Sequence, residues 1–266
     1  MQKALLVGIN LYPDAPLHGC INDVTDMGDF LVESADFDPD HVRLLVDKRA
    51  TTQNILDRLA WLVADAKPQD QLVFHFSGHG VQLPARNKKG EVDGLDEAIC
   101  PVNFDWEDNV IRDDDFLRIF SALPAGVQLV WISDSCHSGE LSRDLLPPRV
   151  KAKVMLPPPD IAWRFRSIEK KGIVSSRAAI GKTTPLPGVL ISGCKANQTS
   201  ADAYFGDRPN GALTYHLLRT LSAPHGMKES ASTVVKSVRA GLKRGGYSQV
   251  PQLEGDAKRF TQPLFG

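Results

Sequence analysis

The sequence predicts an α/β fold in which helices cover a mainly parallel β-sheet. Five short apolar runs, at about 3–9, 41–46, 71–77, 127–133 and 188–193, have the β-branched and aromatic composition of buried strands. Segments with apolar residues at helical spacing separate the first four runs, at about 21–35, 51–66 and 113–122. Because parallel strands need crossover connections, this alternation predicts βαβ units.

Local signals add further elements. Thr51 precedes apolar residues at helical spacing and is expected to be the N-cap of the second helix. The turn sequence Asn87-Lys88-Lys89-Gly90 predicts an exposed hairpin within residues 81–102. After the fifth strand, two more helices and a short closing strand are expected at about 211–218, 229–243 and 249–253.

A proline-rich, basic stretch interrupts this pattern between the fourth and fifth strands. Prolines recur at 147–148 and 157–159, and basic residues occur at Arg149, Lys151, Lys153, Arg164, Arg166, Lys170, Lys171 and Arg177. This composition predicts a long surface linker over about 144–187. The 266 residues are nevertheless expected to form one domain, because α/β folds of this size commonly enclose a single sheet.

Charge and composition exclude several classes of partner. The 31 basic and 32 acidic residues give a net charge of −1, so no dominant field favours nucleic acid or an anionic membrane. No run approaches the roughly 20 apolar residues of a membrane helix, and the N-terminus fits a first strand better than a signal peptide. The cysteines, Cys20, Cys100, Cys136 and Cys194, lack CxxC spacing, which favours a reducing, cytoplasmic location.

Glycine-flanked hydrophilic segments follow the third and fourth predicted strands. They read Ser77-Gly78-His79-Gly80 and Asp134-Ser135-Cys136-His137-Ser138-Gly139. Because ligands bind at the carboxyl ends of parallel strands, His79 and Cys136 are expected to face each other. An imidazole can take the proton of a thiol and later protonate a leaving amine. The pair therefore predicts a cysteine peptidase, with the amides of Gly80 and Cys136 as oxyanion donors.

Neither residue is diagnostic alone. His79 by itself fits a turn histidine with satisfied hydrogen bonds, and Cys136 fits an inert buried thiol. Together, in the order His then Cys and about 50 residues apart, they match the arrangement of caspases. His137 is a competing base, although adjacent side chains usually point to different sides of the backbone. A zinc site of His75, His79, Cys136 and His137 has suitable residue types but no compact ligand pattern.

Six blocks of sequence carry a family resemblance. They are residues 4–10 (ALLVGIN), 17–24 (LHGCINDV), 76–80 (FSGHG), 93–97 (DGLDE), 134–139 (DSCHSG) and 191–202 (ISGCKANQTSAD). In this order they resemble the metacaspase and orthocaspase group of caspase-like cysteine peptidases, of clan CD and family C14, over most of the chain. The resemblance implies a caspase-like fold, a three-layer α/β/α sandwich with a mainly parallel central sheet. It also implies catalytic roles for His79 and Cys136 and cleavage after arginine or lysine.

The resemblance implies an acidic pocket for the residue before the cleaved bond, the P1 residue. Asp134 lies two residues before the expected nucleophile, and Asp23 is expected to form a second wall with Cys20 and Ser77 beside it. Carboxylates there could bind a cationic side chain. Without the family, Asp23 fits a charge near a helix N-terminus and Asp134 fits a turn-forming residue.

Calcium is another implication of the resemblance. Metacaspases are often activated by calcium near the catalytic centre, and the matching acids here are Asp93 or Asp96, Asp113, Asp114 and Asp144. Arg143 stands where the last acid is expected, and residues 112–115 also fit a capped helix start. Thiol and imidazole chemistry requires no cofactor, so Ca²⁺ is expected only as an activator.

The resemblance also divides the domain into a large-subunit-like region at about 1–143, the linker, and a small-subunit-like region at about 188–266. An acidic pocket that meets its own basic linker predicts self-cleavage there. The resemblance favours a monomer acting on proteins or peptides with Arg or Lys at P1, and it suggests roles such as programmed cell death only at the level of the family.

Two other functions are weighed against this one. One is a caspase-fold interaction module with little proteolysis, and the other is a clan CD peptidase of legumain-like or gingipain-like type with a different P1 preference. The complete set of His79, Cys136, Asp23 and Asp134 argues against the interaction module.

Overall fold

A computed structural model describes residues 1–84, 95–137, 149–163, 188–195 and 198–265. Its strands are β1 (Gln2–Gly8), β2 (Val42–Val46), β3 (Gln71–Ser77), β4 (Gly80–Pro84), β5 (Leu95–Ile99), β6 (Ile111–Arg112), β7 (Gln128–Asp134), β8 (Lys151–Ala152), β9 (Gly188–Ser192), β10 (Ala201–Phe205), β11 (Arg208–Gly211) and β12 (Gln252–Gly255). Its α-helices are α1 (Cys20–Ser34), α2 (Thr52–Val63), α3 (Asp113–Phe120), α4 (Ala212–Leu221) and α5 (Ala231–Arg244).

The central sheet has six strands in the order β12-β9-β7-β3-β1-β2. Its first five strands in chain order, β1, β2, β3, β7 and β9, pair in parallel, and β12 joins the edge of β9 in the antiparallel direction. Two small antiparallel sheets, β11-β10-β8 and β4-β5-β6, lie outside it. The mainly parallel sheet predicted from the apolar runs is confirmed.

Alternate residues of the strands face two separate apolar cores. Leu5 and Val7 of β1 belong to the core that contains residues of α2 and α3, whereas Ala4 and Leu6 belong to the core that contains residues of α1, α4 and α5. Helices therefore cover both faces of the sheet, which is the predicted three-layer α/β/α arrangement.

The structure agrees with the sequence signals for the start of the second helix and for the hairpin, where it describes them. The Thr51 hydroxyl accepts a hydrogen bond of 3.3 Å from the amide of Asn54, so Thr51 caps α2 as predicted. Strands β4 and β5 form the antiparallel pair expected within residues 81–102. The proposed turn at 87–90 lies outside the described residues.

The described part of the predicted linker differs from the expectation of a surface segment. Residues 151–152 form β8, which pairs with β10, and the side chain of Lys153 is completely buried. The reason is electrostatic, because two buried carboxylates surround its ammonium group.

Among the described residues, no helix has the length and apolar character needed to cross a membrane.

Helix α1 lies very close to β1. This contact positions Asp23, the first acidic residue of the predicted pocket, because Asp23 belongs to α1. A Cβ atom placed on Gly8 would lie 2.5 Å from the carbonyl oxygen of Cys20 and 2.7 Å from Cγ2 of Val24. Only glycine therefore allows this helix to lie so close to the strand.

Gly8→Ala is expected to lower the free energy of unfolding by about 1–3 kcal/mol, because the added methyl group overpacks the contact between β1 and α1. Gly28→Ala on the same helix is the matched control, since its Cβ atom would lie 3.5 Å from Leu6 and 3.6 Å from Leu44, which is ordinary packing. Urea unfolding of both variants measures the difference. A Gly8→Ala protein as stable as the Gly28→Ala protein would contradict the prediction.

Candidate active site

The two predicted catalytic segments leave neighbouring strands at the same edge of the sheet. Ser77, the last residue of β3, is the register partner of Asp134, the last residue of β7. Just beyond them, the amide of Gly78 donates a hydrogen bond of 3.4 Å to the carbonyl oxygen of Asp134. His79 and Cys136 therefore follow directly on two adjoining strand ends, as the sequence predicted.

His79 is held in a nearly enclosed position. Its Nε2 atom lies 2.7 Å from the carbonyl oxygen of Ala15, and its ring centroid lies 4.5 Å from that of Tyr12. Burial lowers the pKa of His79 to about 4, although the hydrogen bond to Ala15 opposes this shift. The imidazole is therefore neutral near pH 7 and has the capacity to accept a proton. Within the described residues, its buried Nδ1 atom has no hydrogen-bond partner.

Cys136 is fully buried in this structure. Its Sγ atom lies 3.1 Å from Sγ of Cys194 and accepts a hydrogen bond from the amide of Ser200. Burial, followed by the contact with Cys194, raises the pKa of the Cys136 thiol well above its ordinary value. In the state described here, Cys136 is therefore a protonated thiol.

The carbonyl oxygen of Lys153 lies between these two segments. It accepts hydrogen bonds from the amides of both candidate oxyanion donors, Gly80 at 3.2 Å and Cys136 at 3.1 Å. Two amides directed at one oxygen are the arrangement that stabilises the oxyanion of acyl transfer.

The backbone on either side of this carbonyl is also held by hydrogen bonds. The amide of Lys153 donates to the carbonyl of Ser200 at 2.9 Å, and the amide of Met155 donates to the carbonyl of Gly80 at 3.0 Å. The segment from β8 to Met155 is therefore held by backbone hydrogen bonds on both sides of a bend at Lys153, with its Lys153–Val154 bond beside the Cys136 backbone.

The Lys153 ammonium group fills the predicted acidic pocket. Its Nζ atom lies 2.9 Å from Oγ of Ser77, 3.1 Å from Oδ2 of Asp23 and 3.3 Å from Oδ1 of Asp134. All three donor hydrogens of the ammonium group can therefore be satisfied inside the protein. The structure thus brings Asp23, Asp134 and Ser77 together around a single cation.

Each carboxylate is also fixed by neutral donors. Asp23 accepts from Ser77 Oγ at 2.6 Å and from the side chain of Asn210 at 3.0 Å, and it accepts from the amide of Gly211. Asp134 accepts from Oγ of Ser200 at 2.7 Å and from both the amide and the hydroxyl of Thr214. Thr214 lies in the first turn of α4, where amides have no partner within the helix.

The pKa values of the two carboxyl groups move in opposite directions. Burial raises the pKa of Asp23 to about 6, although Lys153 opposes the shift. Burial also acts to raise the pKa of Asp134, but Lys153, Thr214 and Ser200 outweigh it, so that this pKa lies below its ordinary value. The two acids raise the pKa of Lys153 well above its usual range despite its burial.

The sequence predicted some residues of this site and missed others. Cys20 lies beside Ser77 as expected, and burial raises the pKa of its thiol well above the ordinary value. Lys153 was only one of many basic residues in the linker, and Ser200 stood in a family block without an assigned role. Asn210, Gly211 and Thr214 had no signal in the sequence, because their contacts depend on how β11 and α4 pack beside α1 and β7.

His137 points to a different environment from that of Cys136. Its Nδ1 atom lies 3.1 Å from the carbonyl oxygen of Ala98, and its Nε2 atom lies 3.7 Å from Oε2 of Glu97. The side chain of His137 therefore contacts β5, in agreement with the expectation that adjacent side chains point to different sides of the backbone.

Three of the acids proposed for calcium lie among the described residues, and Asp113 lines a small cavity together with His137. Asp96 forms a 2.6 Å ion pair with Arg112, and Asp113 and Asp114 begin α3. Burial, and then the negative charge of Asp96, raises the pKa of Asp113 to about 7. This unfavourable concentration of negative charge is the kind that a divalent cation would relieve.

The described residues supply only part of such a ligand set. Among them, no group of three or more His, Cys, Asp or Glu side chains is placed to hold a metal ion, whether zinc or calcium. The other two candidate calcium ligands, Asp93 and Asp144, lie outside the described residues.

Comparisons with known proteins identify the family of this chain. A family model described as the metacaspase, peptidase C14 domain matches residues 2–144. Metacaspase-1 of Yarrowia lipolytica is 36% identical over 287 residues, which cover 95% of this chain and 61% of that relative. Metacaspase-1B of Aspergillus oryzae is 35% identical over 299 residues, which cover 99% of this chain and 70% of that relative.

The fold is also similar to a solved structure. A crystal structure of a protein from Geobacter sulfurreducens matches with a TM-score of 0.70 and 27% identity, covering 99% of this chain and 98% of that one. The chain therefore belongs to the metacaspase family of C14 peptidases, and the family predicted from the six sequence blocks is confirmed.

Proposed function

We propose that this protein is a cysteine endopeptidase that cleaves peptide bonds after lysine or arginine, with His79 and Cys136 as its catalytic pair. One observation carries the proposal. The protein's own Lys153 places its ammonium group between Asp23 and Asp134 while its carbonyl oxygen accepts both the Gly80 and the Cys136 amides. A basic P1 residue can thus occupy the pocket and present its carbonyl to the oxyanion donors at the same time.

The mechanism follows from these positions. His79 takes the proton of the Cys136 thiol, and the sulfur adds to the carbonyl carbon of the P1 residue. The amides of Gly80 and Cys136 stabilise the resulting oxyanion. His79 then protonates the departing amine, and water hydrolyses the thioester. The low pKa of His79 keeps the imidazole neutral before the cycle begins.

The charge of the pocket explains a preference for cations. Asp23 and Asp134 are both inaccessible to solvent, and a neutral P1 side chain would leave them buried without a counter-charge. Lysine and arginine supply that charge, whereas aspartate would add a third negative group. Asparagine and aspartate are therefore disfavoured at P1.

Asp23→Asn is expected to reduce kcat/KM for peptides with P1 Lys or Arg by about 100-fold or more, because it removes one member of a buried, hydrogen-bonded charge cluster. The measurement uses fluorogenic peptides that differ only in P1 Arg, Lys, Asn or Asp. Asp29→Asn is the matched control, since Asp29 lies on the same helix but is exposed to solvent, and its activity should equal that of the wild type.

The peptide panel also separates the alternatives. Preferred hydrolysis after Asn or Asp would identify a peptidase of different specificity. Hydrolysis of none of the peptides would instead favour an interaction module.

We further propose that the enzyme cleaves itself after Lys153. The bond between Lys153 and Val154 follows the carbonyl held by the two amides, and Val154 packs against Cys136 and Cys194. The backbone amide of Cys136 lies 3.1 Å from the carbonyl oxygen of this bond. Self-cleavage would also explain why a residue of the basic linker is buried in an active-site cleft.

Intact-mass analysis should therefore find wild-type fragments that end at Lys153 and begin at Val154. Cys136→Ala should remain whole because it lacks the nucleophile, and Lys153→Ala should lose this cut because its side chain cannot pair with Asp23 and Asp134. Lys236→Ala removes an exposed lysine of α5 outside the cleft, and it should retain the cut. Identical unprocessed masses for the wild type and Cys136→Ala would contradict self-cleavage.

Calcium activation is a separate proposal. Asp96, Asp113 and Asp114 would supply oxygen ligands together with Asp93 and Asp144, and the bound cation would compensate the negative charge around Asp113. The ion would act by ordering this edge of the site, because the proposed chemistry requires only the thiol, the imidazole and the amides.

Millimolar calcium is therefore expected to raise the rate of self-cleavage relative to the same protein in a chelator, and Asp113→Asn should weaken this response. Magnesium at the same concentration controls for ionic strength and nonspecific charge screening. Equal rates in calcium and chelator would contradict the proposal.

A further inference from the structure

The residues before Lys153 lie in the cleft as a substrate would. Strand β8 pairs in the antiparallel direction with β10, with Lys151 opposite Asp202 and Ala152 opposite Ala201. If Lys153 is the P1 residue, Ala152, Lys151, Val150 and Arg149 occupy P2, P3, P4 and P5. Pairing with a strand fixes this register through the backbone and leaves the side chains to determine specificity.

Basic and apolar side chains alternate along this segment. Ala152 packs against the small cluster that contains Cys136 and Cys194, and Val150 packs against the core beside α1 and α4. Lys151 instead reaches the protein surface, where its Nζ atom donates a 2.5 Å hydrogen bond to the carbonyl oxygen of Pro16. The P3 lysine therefore has an acceptor on the loop that precedes α1.

The P5 residue has an aromatic partner. The guanidinium carbon of Arg149 lies 4.5 Å from the ring centroid of Tyr204, which belongs to β10. A cation at this distance from an aromatic ring is attracted by the negative charge of its face. Arg149 has a φ of +71°, so the chain turns away from the extended conformation at this residue. Tyr204 therefore marks the outer end of the cleft.

We propose that Tyr204 is a specificity-determining residue that favours a basic side chain at P5, and that the Pro16 carbonyl favours lysine at P3. The inference rests on the proposed function, because it assigns subsites to the same cleft. It identifies the preferred substrates as segments with basic residues at P1, P3 and P5, rather than any peptide with a basic P1 residue. A tethered segment binds at high effective concentration, so these contacts matter most for separate substrates.

The test uses wild-type protein that has completed self-cleavage and peptides based on Arg-Val-Lys-Ala-Lys with a fluorophore after the P1 lysine. Companion peptides carry alanine at P5 or at P3. Tyr204→Leu removes the aromatic face, and Tyr204→Phe is the matched control that keeps it. Replacing P5 arginine by alanine should lower kcat/KM about two- to five-fold for the wild type and Tyr204→Phe. The same replacement should have no effect on Tyr204→Leu, which should still prefer lysine at P3.

The outcomes separate this inference from the proposed function. Cleavage of all peptides at the same rate by the wild type, or an unchanged P5 preference in Tyr204→Leu, would overturn the inference and leave cleavage after lysine intact. A protein that cuts none of these peptides would overturn the proposed function and this inference with it.

Discussion

The structure of the site depends on one buried ion cluster, in which the Lys153 ammonium group lies between the carboxylates of Asp23 and Asp134. Removing three charges from water is costly, and mutual attraction offsets the cost only when every polar atom has a partner. The protein meets this condition with donors from Ser77, Ser200 and the first turn of α4. The two carboxylates together carry more negative charge than the single ammonium group neutralises. The pocket that they form therefore attracts a cationic side chain more strongly than a neutral one.

The same spacing along two strands links this pocket to the catalytic pair. Ser77 precedes His79 by two residues, and Asp134 precedes Cys136 by two residues, while Ser77 and Asp134 are register partners in parallel strands. The strand register therefore places the wall of the pocket directly before both catalytic segments. The pocket around the Lys153 ammonium group and the two amides at its carbonyl oxygen are consequences of one piece of backbone geometry.

Occupation of the cleft by residues 151–155 has chemical consequences for the enzyme. The bound segment excludes solvent from Cys136, and burial keeps its thiol protonated. A separate substrate must displace the same contacts, which include pairing with β10 as well as the ion cluster. Under the proposed function, the internal segment and a separate substrate would use the same contacts in this cleft.

Much of the scaffold was determined locally by the sequence. Apolar runs at strand length located the five parallel strands, Thr51 located the start of α2, and the two glycine-flanked segments identified His79 and Cys136, because each of these signals lies within a few consecutive residues. The residues that complete the pocket and the cleft had no such local signal. Asn210, Thr214 and Tyr204 gained their positions only when β10, β11 and α4 packed beside strands far away in the chain. The burial of Lys153 ran against the surface preference of a basic, proline-rich stretch, since only the assembled site brings two carboxylates close enough to stabilise its charge.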